Sequence, residues 1–334
     1  MKAIIYSVRK DEKELLTKTN AGKHELVWQI SSLKNETVNY AAGCEAVVVF
    51  TGDEVSCSVI IKLAQLGVKY LLTRSSGTDH IDFEAAKQHR ILIKNIPGYA
   101  PHAVAEHTLA LALALSRHLI EANRNCRNYD FSLSGLTGFN LHEKTIGIIG
   151  FGRIGKITAR VFRGLGCKVI VYDNQPPSAY SGIKLVSFED LLSKSDIISL
   201  HIPLNDETLH IISEEKIRLM KDGVMLINTA RGGLVDTRAV LAALDTGKIG
   251  YYGTDVYEFE RGLFFEDHET DQVRDVILST LMNHRNVLVT PHQAFLTIEA
   301  LKEIAFETIK GLDEWEEVAK PTRISSDFDF SPKL

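Results

Sequence analysis

Residues 145–173 constrain this chain more than any other stretch. Thr145-Ile-Gly-Ile-Ile-Gly150-Phe-Gly152-Arg-Ile-Gly155 reads as a strand running straight into a G-x-G-x-x-G turn. A helical segment over 154–165 follows and stops at Gly166, and a second apolar strand, 168–172, closes on Asp173. Each part has a task in holding a dinucleotide. Gly150 permits the tight turn, Gly152 lets backbone approach a pyrophosphate, and Gly155 lets helix and strand pack closely. The start of the helix, with Ile154 in its first turn, offers unpaired N–H groups and positive dipole to phosphate. Asp173, roughly 20 residues past the last glycine, can accept hydrogen bonds from both ribose hydroxyls and would repel a 2′-phosphate. This selects NAD over NADP. Arg153 has two readings, a pyrophosphate contact or a solvated surface arginine.

Such a unit needs a sheet around it, and the rest of the chain supplies one on each side. The first hundred residues alternate apolar runs at 3–6, 46–50, 70–73 and 91–94 with amphipathic segments at 58–66 and 82–89. Strands alternating with helices imply parallel sheets covered on both faces. Ile96-Pro97-Gly98 interrupts the pattern, a long helix is expected over 103–123, and a polar loop over 128–140. A second series then begins, with strands at 145–149, 168–172, 197–200, 224–228, 250–254 and 287–290, a last helix at 298–318 and a polar tail. The expected class is α/β with two open parallel-sheet domains. A Rossmann NAD domain, 100–295, is inserted into a flavodoxin-like substrate domain, 1–99 plus 296–334. The length of 334 residues suits two domains, each able to bury its own core.

Charge and cysteine usage narrow the function. A net charge of −5 gives no electrostatic reason to seek nucleic acid or anionic lipid. Cys44, Cys57, Cys126 and Cys167 are scattered, form no C-x-x-C pair and show no metal-ligand spacing. Reduced thiols in a cytoplasmic protein are the expectation. The N-terminus reads as a first strand and not a leader. The most apolar stretch, 109–115, is far short of the roughly 20 residues a membrane span needs.

The second series also carries the chemistry. Reducing a 2-oxoacid by hydride needs a cation for the carboxylate and a proton donor, matched to working pH, for the carbonyl oxygen. Both should project from the carboxyl ends of strands. Arg231 follows the strand 224–228 in Asn228-Thr-Ala-Arg231-Gly, and its guanidinium can grip a carboxylate through two parallel bonds. His292 follows the strand 287–290 in Thr290-Pro-His292-Gln, and histidine is the natural acid–base group near neutrality. Glu260 lies past the strand 250–254 in Asp255-Val-Tyr-Glu-Phe-Glu260, where a carboxylate would stabilise an imidazolium and orient its ring. Each alone is an ordinary surface or loop residue. In this order, behind the dinucleotide motif, they are specific.

These three segments resemble the signatures of D-isomer-specific 2-hydroxyacid dehydrogenases. The likeness covers nearly the whole chain, including Arg74-Ser-Ser-Gly77-Thr-Asp-His-Ile-Asp82 and Pro97-Gly-Tyr99-Ala-Pro-His-Ala-Val-Ala-Glu-His107. Phe131-Ser-Leu-Ser-Gly-Leu-Thr-Gly-Phe139, Glu260-Arg-Gly-Leu-Phe-Phe-Glu-Asp267 and His292-Gln-Ala-Phe-Leu-Thr297 look most like the bacterial fermentative, D-lactate branch. The resemblance implies Arg231 as carboxylate anchor, Glu260 as the histidine's partner and His292 as proton donor. It implies backbone amides of Ser76 and Gly77 on the carboxylate and Tyr99 lining the substrate pocket. It also implies Ile202, Pro203, Thr229, Ala230 and Asp255 around the nicotinamide and adenosine, and a homodimer formed through the NAD domain, with the long helix from residue 103 as contact. One position departs: Phe50 stands where some lactate-specific relatives carry tyrosine, and the missing hydroxyl changes pocket polarity.

The remaining histidines carry less. His102 and His107 are not on one helical face and make no metal pair; His118, His142, His210, His268 and His284 read as surface or loop residues. His201, at a strand end, either approaches the adenosine or is a satisfied core histidine. Two other functions fit the same motifs. One is reduction of a different 2-oxoacid, of 2-hydroxyisocaproate or hydroxypyruvate type. The other is a non-enzymatic NAD-sensing co-repressor. With the sequence ending at residue 334, no separate C-terminal regulatory domain is expected.

Overall fold

A computed structural model describes residues 1–175, 183–270 and 274–319. The chain divides into two compact units, Met1–Pro97 joined by the residues from Leu301 on, and Gly98–Ala300. The second therefore interrupts the first in sequence.

The first unit runs β1 (Lys2–Ile5), α1 (Lys10–Asn20), β2 (Glu25–Trp28), β3 (Ala46–Val49), α2 (Cys57–Gln65), β4 (Tyr70–Thr73), α3 (Phe83–Gln88) and β5 (Leu92–Asn95). The strands form one parallel sheet in the order β2-β1-β3-β4-β5, the flavodoxin-like arrangement. Every residue of β3 and β4 is buried, because helices cover both faces of the sheet centre. Sequence reading missed β2. It is an edge strand, exposed or half-buried along its length, so it carries no continuous apolar run.

The second unit holds α4 (Pro101–Ser116), α5 (Leu119–Arg127), β6 (Thr145–Ile149), α6 (Arg153–Gly164), β7 (Lys168–Tyr172), β8 (Lys184–Leu185), α7 (Phe188–Lys194) and β9 (Ile197–Leu200). It continues through α8 (Glu214–Leu219), β10 (Val224–Asn228), α9 (Thr237–Asp245), β11 (Ile249–Thr254), α10 (Val276–Asn283) and β12 (Val287–Val289). A last helix, α11 (Ile298–Ala319), begins here and ends in the first unit, where Trp315 stacks on Tyr70 at 4.9 Å. The seven strands are parallel in the order β12-β11-β10-β9-β6-β7-β8, a Rossmann sheet whose order reverses between β6 and β9. One apolar layer, including Leu191, Leu226, Leu234 and Leu244, covers one face. A second, including Leu111, Leu115, Ile148 and Phe162, covers the other.

The expected single helix over 103–123 is two. Backbone of the returning loop stops the first: the Phe139 amide donates to Ser116 O at 3.0 Å, taking a carbonyl that a continuing helix would need. His118 then turns left-handed at φ 49° before α5 begins. No residue of α5 is buried, so packing does not pull it into line with α4. The polar tail expected after residue 318 falls, beyond Ala319, outside the described residues.

Candidate active site

The glycine turn at the end of β6 has the geometry its sequence demands. Gly150 has φ +92°, and a Cβ on it would meet His201 O at 2.4 Å. A Cβ on Gly155 would meet Gly150 O at 2.0 Å, so α6 lies hard against the turn. Gly152 caps α6, and a Cβ on it would enter open space. Amides at the start of this 12-residue helix have no intrahelical acceptors, so backbone donors and open volume coincide. These features fit a pyrophosphate. Asp173 closes β7 with its carboxylate accepting from the Phe151 amide at 2.6 Å and the Gln175 amide at 2.7 Å. It therefore shapes the turn, and each oxygen keeps a further lone pair for a ribose hydroxyl.

The neighbours of this turn divide in two. Ile154 and Ile202 are half-buried, Pro203 is exposed, and Arg153 is exposed with its guanidinium folded back over Gly98. Thr229 is buried, its hydroxyl 2.9 Å from that of Thr108 on α4, with Ala230 half-buried beside it. His201 Nε2 lies 2.9 Å from Ser199 Oγ, and burial pushes its pKa down to about 3, so the ring is neutral.

Arg231, Glu260 and His292 lie past the carboxyl ends of β10, β11 and β12, and Glu260 meets His292. Asn228 ends β10 and builds the turn before the arginine. Its Oδ1 accepts from the Ala230 amide at 3.0 Å, and its Nδ2 donates to Arg231 O at 2.8 Å. Arg231 is half-buried and donates from Nη1 to Ala230 O at 2.7 Å. Next to it, a Cβ on Gly232 would lie 2.1 Å from Tyr257 C and 2.4 Å from Glu258 N. The arginine turn thus lies against the backbone of the Asp255–Glu260 segment, which a side chain at 232 would prevent.

Glu260 reaches the histidine directly. His292 Nδ1 lies 2.8 Å from Glu260 Oε1, while Glu260 Oε2 accepts from the Tyr257 amide at 2.9 Å. The carboxylate is held at both oxygens, and Nε2 remains on the ring's other side. The ring of Phe265 lies 5.4 Å from that of His292. His292 itself has φ +52°, an uncommon conformation for a residue with a Cβ.

The structure gives Asp255 a particular place. Its side chain is buried and turned into the 290–294 loop. His210, read from sequence as a surface or loop residue, and His107, read only as no half of a metal pair, both have partners: His210 Nε2 lies 2.6 Å from Glu258 Oε1, and His107 Nε2 lies 3.0 Å from Thr290 Oγ1. Fixed spacing cannot reveal either pair, because the partners lie 48 and 183 residues apart in the chain. Asn228 had a legible signal, a strand-end asparagine two residues before the amide it binds. Tyr99 meets Phe295 edge-on at 6.1 Å. In the first unit, Ser76 and Gly77 follow β4. Ser76 donates from its hydroxyl to Ile96 O at 3.1 Å and accepts at its carbonyl from Asn95 Nδ2 at 2.8 Å.

Comparison with known proteins identifies the family. Residues 109–294 match the family model described as D-isomer specific 2-hydroxyacid dehydrogenase, NAD binding domain. D-lactate dehydrogenase of Escherichia coli (strain K12) is 41% identical over 319 residues, covering 95% of this chain and 97% of that protein. The solved structure of a pyruvate reductase of Chlamydomonas reinhardtii has a TM-score of 0.88 at 41% identity, covering 94% of this chain and 96% of that one. A D-lactate dehydrogenase of Aquifex aeolicus, solved with NAD and lactic acid, has a TM-score of 0.85 at 34% identity, covering 95% and 96%. The chain belongs to the D-isomer-specific 2-hydroxyacid dehydrogenase family. It is an NAD-dependent dehydrogenase built on a Rossmann domain.

Proposed function

We propose that the protein reduces pyruvate to D-lactate in the cytoplasm, with His292 as proton donor. The observation that carries this reading is the Glu260–His292 pair at 2.8 Å beside the Arg231 turn. NADH, when bound, supplies the hydride. Gly150, Gly152, Arg153, Ile154 and Gly155 hold its pyrophosphate, Asp173 its ribose, and Ile202, Pro203, Thr229, Ala230 and Asp255 frame the rest. Arg231 binds the substrate carboxylate through its guanidinium, assisted by amides at Ser76 and Gly77, and Tyr99 lines the pocket. Glu260 occupies Nδ1 of His292, so the imidazolium presents its proton from Nε2 to the carbonyl oxygen. Reduction consumes one proton from the ring, and the reverse reaction returns it. In this assignment 1–99 plus 296–334 binds substrate and 100–295 binds NAD.

Support for a homodimer formed through the NAD domain comes from α5 and the loop after it. Leu119, Ile120, Tyr129, Phe131 and Leu133 are all more than half exposed in the single chain, an apolar surface suited to a second copy. Phe50 at the end of β3 favours a second reading, a larger or less polar 2-oxoacid. Steady-state NADH oxidation with pyruvate, phenylpyruvate, 2-ketoisocaproate and hydroxypyruvate tests both. Fastest kcat/KM on pyruvate supports the first, a preference for a branched or aromatic acid supports the second, and no turnover on any of them refutes both. His292→Gln is expected to abolish turnover while NADH still binds.

A further inference from the structure

A second histidine fastens the loop that carries His292. Thr290 has one hydroxyl proton, and it goes to Asp255 Oδ1 at 2.5 Å. The 3.0 Å contact between Thr290 Oγ1 and His107 Nε2 must therefore take its proton from the imidazole. His107 thus carries hydrogen on Nε2, and the bonds run in one direction, from His107 to Thr290 to Asp255. The same Nε2 lies 3.4 Å from Asp255 Oδ1.

Asp255 is the anchor of the loop. Its Oδ1 also accepts from the Gln293 amide at 2.9 Å, and its Oδ2 from the Ala294 amide at 2.8 Å. Its carbonyl accepts from the His292 amide at 2.7 Å. Residues 290, 292, 293 and 294 all hang on this one aspartate. Between them His292 sits at φ +52°, a backbone state that persists only where the surroundings over-determine it. Asp255 comes from the end of β11 and Thr290 from just past β12, while His107 comes from the middle of α4. The relay therefore ties the loop to a partly buried helix from a different part of the chain.

We propose that His107 is a positioning residue for the reaction: through Thr290 and Asp255 it holds the His292 loop in its left-handed conformation. The inference rests on His292 being the proton donor. His107 acts as a hydrogen-bond donor from Nε2. An amide nitrogen at the same reach can replace it, whereas an apolar side chain cannot.

The test compares H107L, H107Q, T290V, T290S and the double variant H107L/T290V in the intact enzyme. The readouts are kcat and KM for pyruvate, NADH affinity by fluorescence, and Tm. H107L and T290V are expected to lower kcat about 10- to 100-fold, the rate cost of an unmet, partly buried hydrogen bond, with NADH affinity within about threefold of wild type. H107Q and T290S are expected to keep at least about a third of wild-type kcat, since each keeps its bond. The double variant is expected to be no slower than the slower single one, because both cut the same relay. Wild-type kcat in H107L, or equal loss in H107L and H107Q, or multiplying losses in the double variant, would overturn the inference. If H107L does not fold, T290V against T290S decides: a slow valine with a fast serine supports the relay, and equal rates overturn it. Absence of turnover by the wild type on any small 2-oxoacid overturns the functional reading instead.

Discussion

Replacing Glu260 by glutamine keeps shape and volume but removes the charge that faces His292. Both carboxylate oxygens are in use, Oε1 toward His292 Nδ1 at 2.8 Å and Oε2 toward the Tyr257 amide at 2.9 Å. The amide of glutamine has one acceptor and one donor. Tyr257 offers only an N–H, so the glutamine oxygen is drawn there, and its NH2 group then points at His292 Nδ1. A donor facing Nδ1 opposes the imidazolium, which carries hydrogen there, and favours a neutral ring. A hydrogen bond to a charged group contributes about 1.5–3 kcal/mol, and leaving a donor unmet costs about 1–3 kcal/mol more. The side chains of His292 and Glu260 are 13% and 20% exposed, so water relieves part of this. A net loss of about 3–4 kcal/mol remains, which corresponds to roughly 100- to 1,000-fold in rate. The expected result for E260Q is that fall in kcat for 2-oxoacid reduction at neutral pH, with NADH affinity by fluorescence titration within about threefold. A kcat within about fivefold of wild type would refute the account, because it would mean that the carboxylate does not support the protonated ring.

Three further outcomes follow from the geometry. D173A is expected to raise the KM for NADH about 10- to 100-fold and to improve the NADPH-to-NADH ratio, since it removes both the ribose acceptor and the brace on Phe151; unchanged NADH kinetics would exclude Asp173 from the cofactor site. G232A places a methyl group 2.1–2.4 Å from the Tyr257–Glu258 backbone, so a stability loss of about 1–3 kcal/mol in urea unfolding and a lower kcat are expected together. Asp196 is a test by pH. Burial alone would raise its pKa, but the Thr145 amide at 2.8 Å and Lys221 Nζ at 2.9 Å hold it below 3.8. A depressed carboxylate stabilises the fold above the unfolded pKa and loses that contribution as pH falls through the folded one. D196N is therefore expected to have a lower Tm than wild type at pH 7 and a gap that narrows below about pH 4; a gap that widens in acid would contradict the assignment.

The sequence by itself determined the parts whose cause is local. All six strands expected after residue 144 lie within one residue of their place at both ends, and so do all four expected before it, because buried parallel strands are short apolar runs bounded by turn residues. The dinucleotide turn was legible because backbone φ and close approach at Gly150 and Gly155 force glycine there. That Arg231, Glu260 and His292 follow strands was legible, because those strands are apolar runs. Tertiary structure decided what depends on partners distant in the chain. The break after Ser116 comes from a loop amide at Phe139, with no proline or glycine over 103–123 to announce it. The edge strands β2 and β8 exist because β1 and β7 offer open edges, not because their own residues demand it. The left-handed turn at His292, the close approach of Gly232 to Tyr257 and the link from His107 to Thr290 likewise arise only when strand ends meet. A strand's pattern records which face is buried; it does not record which side chain from another element will arrive to bind it.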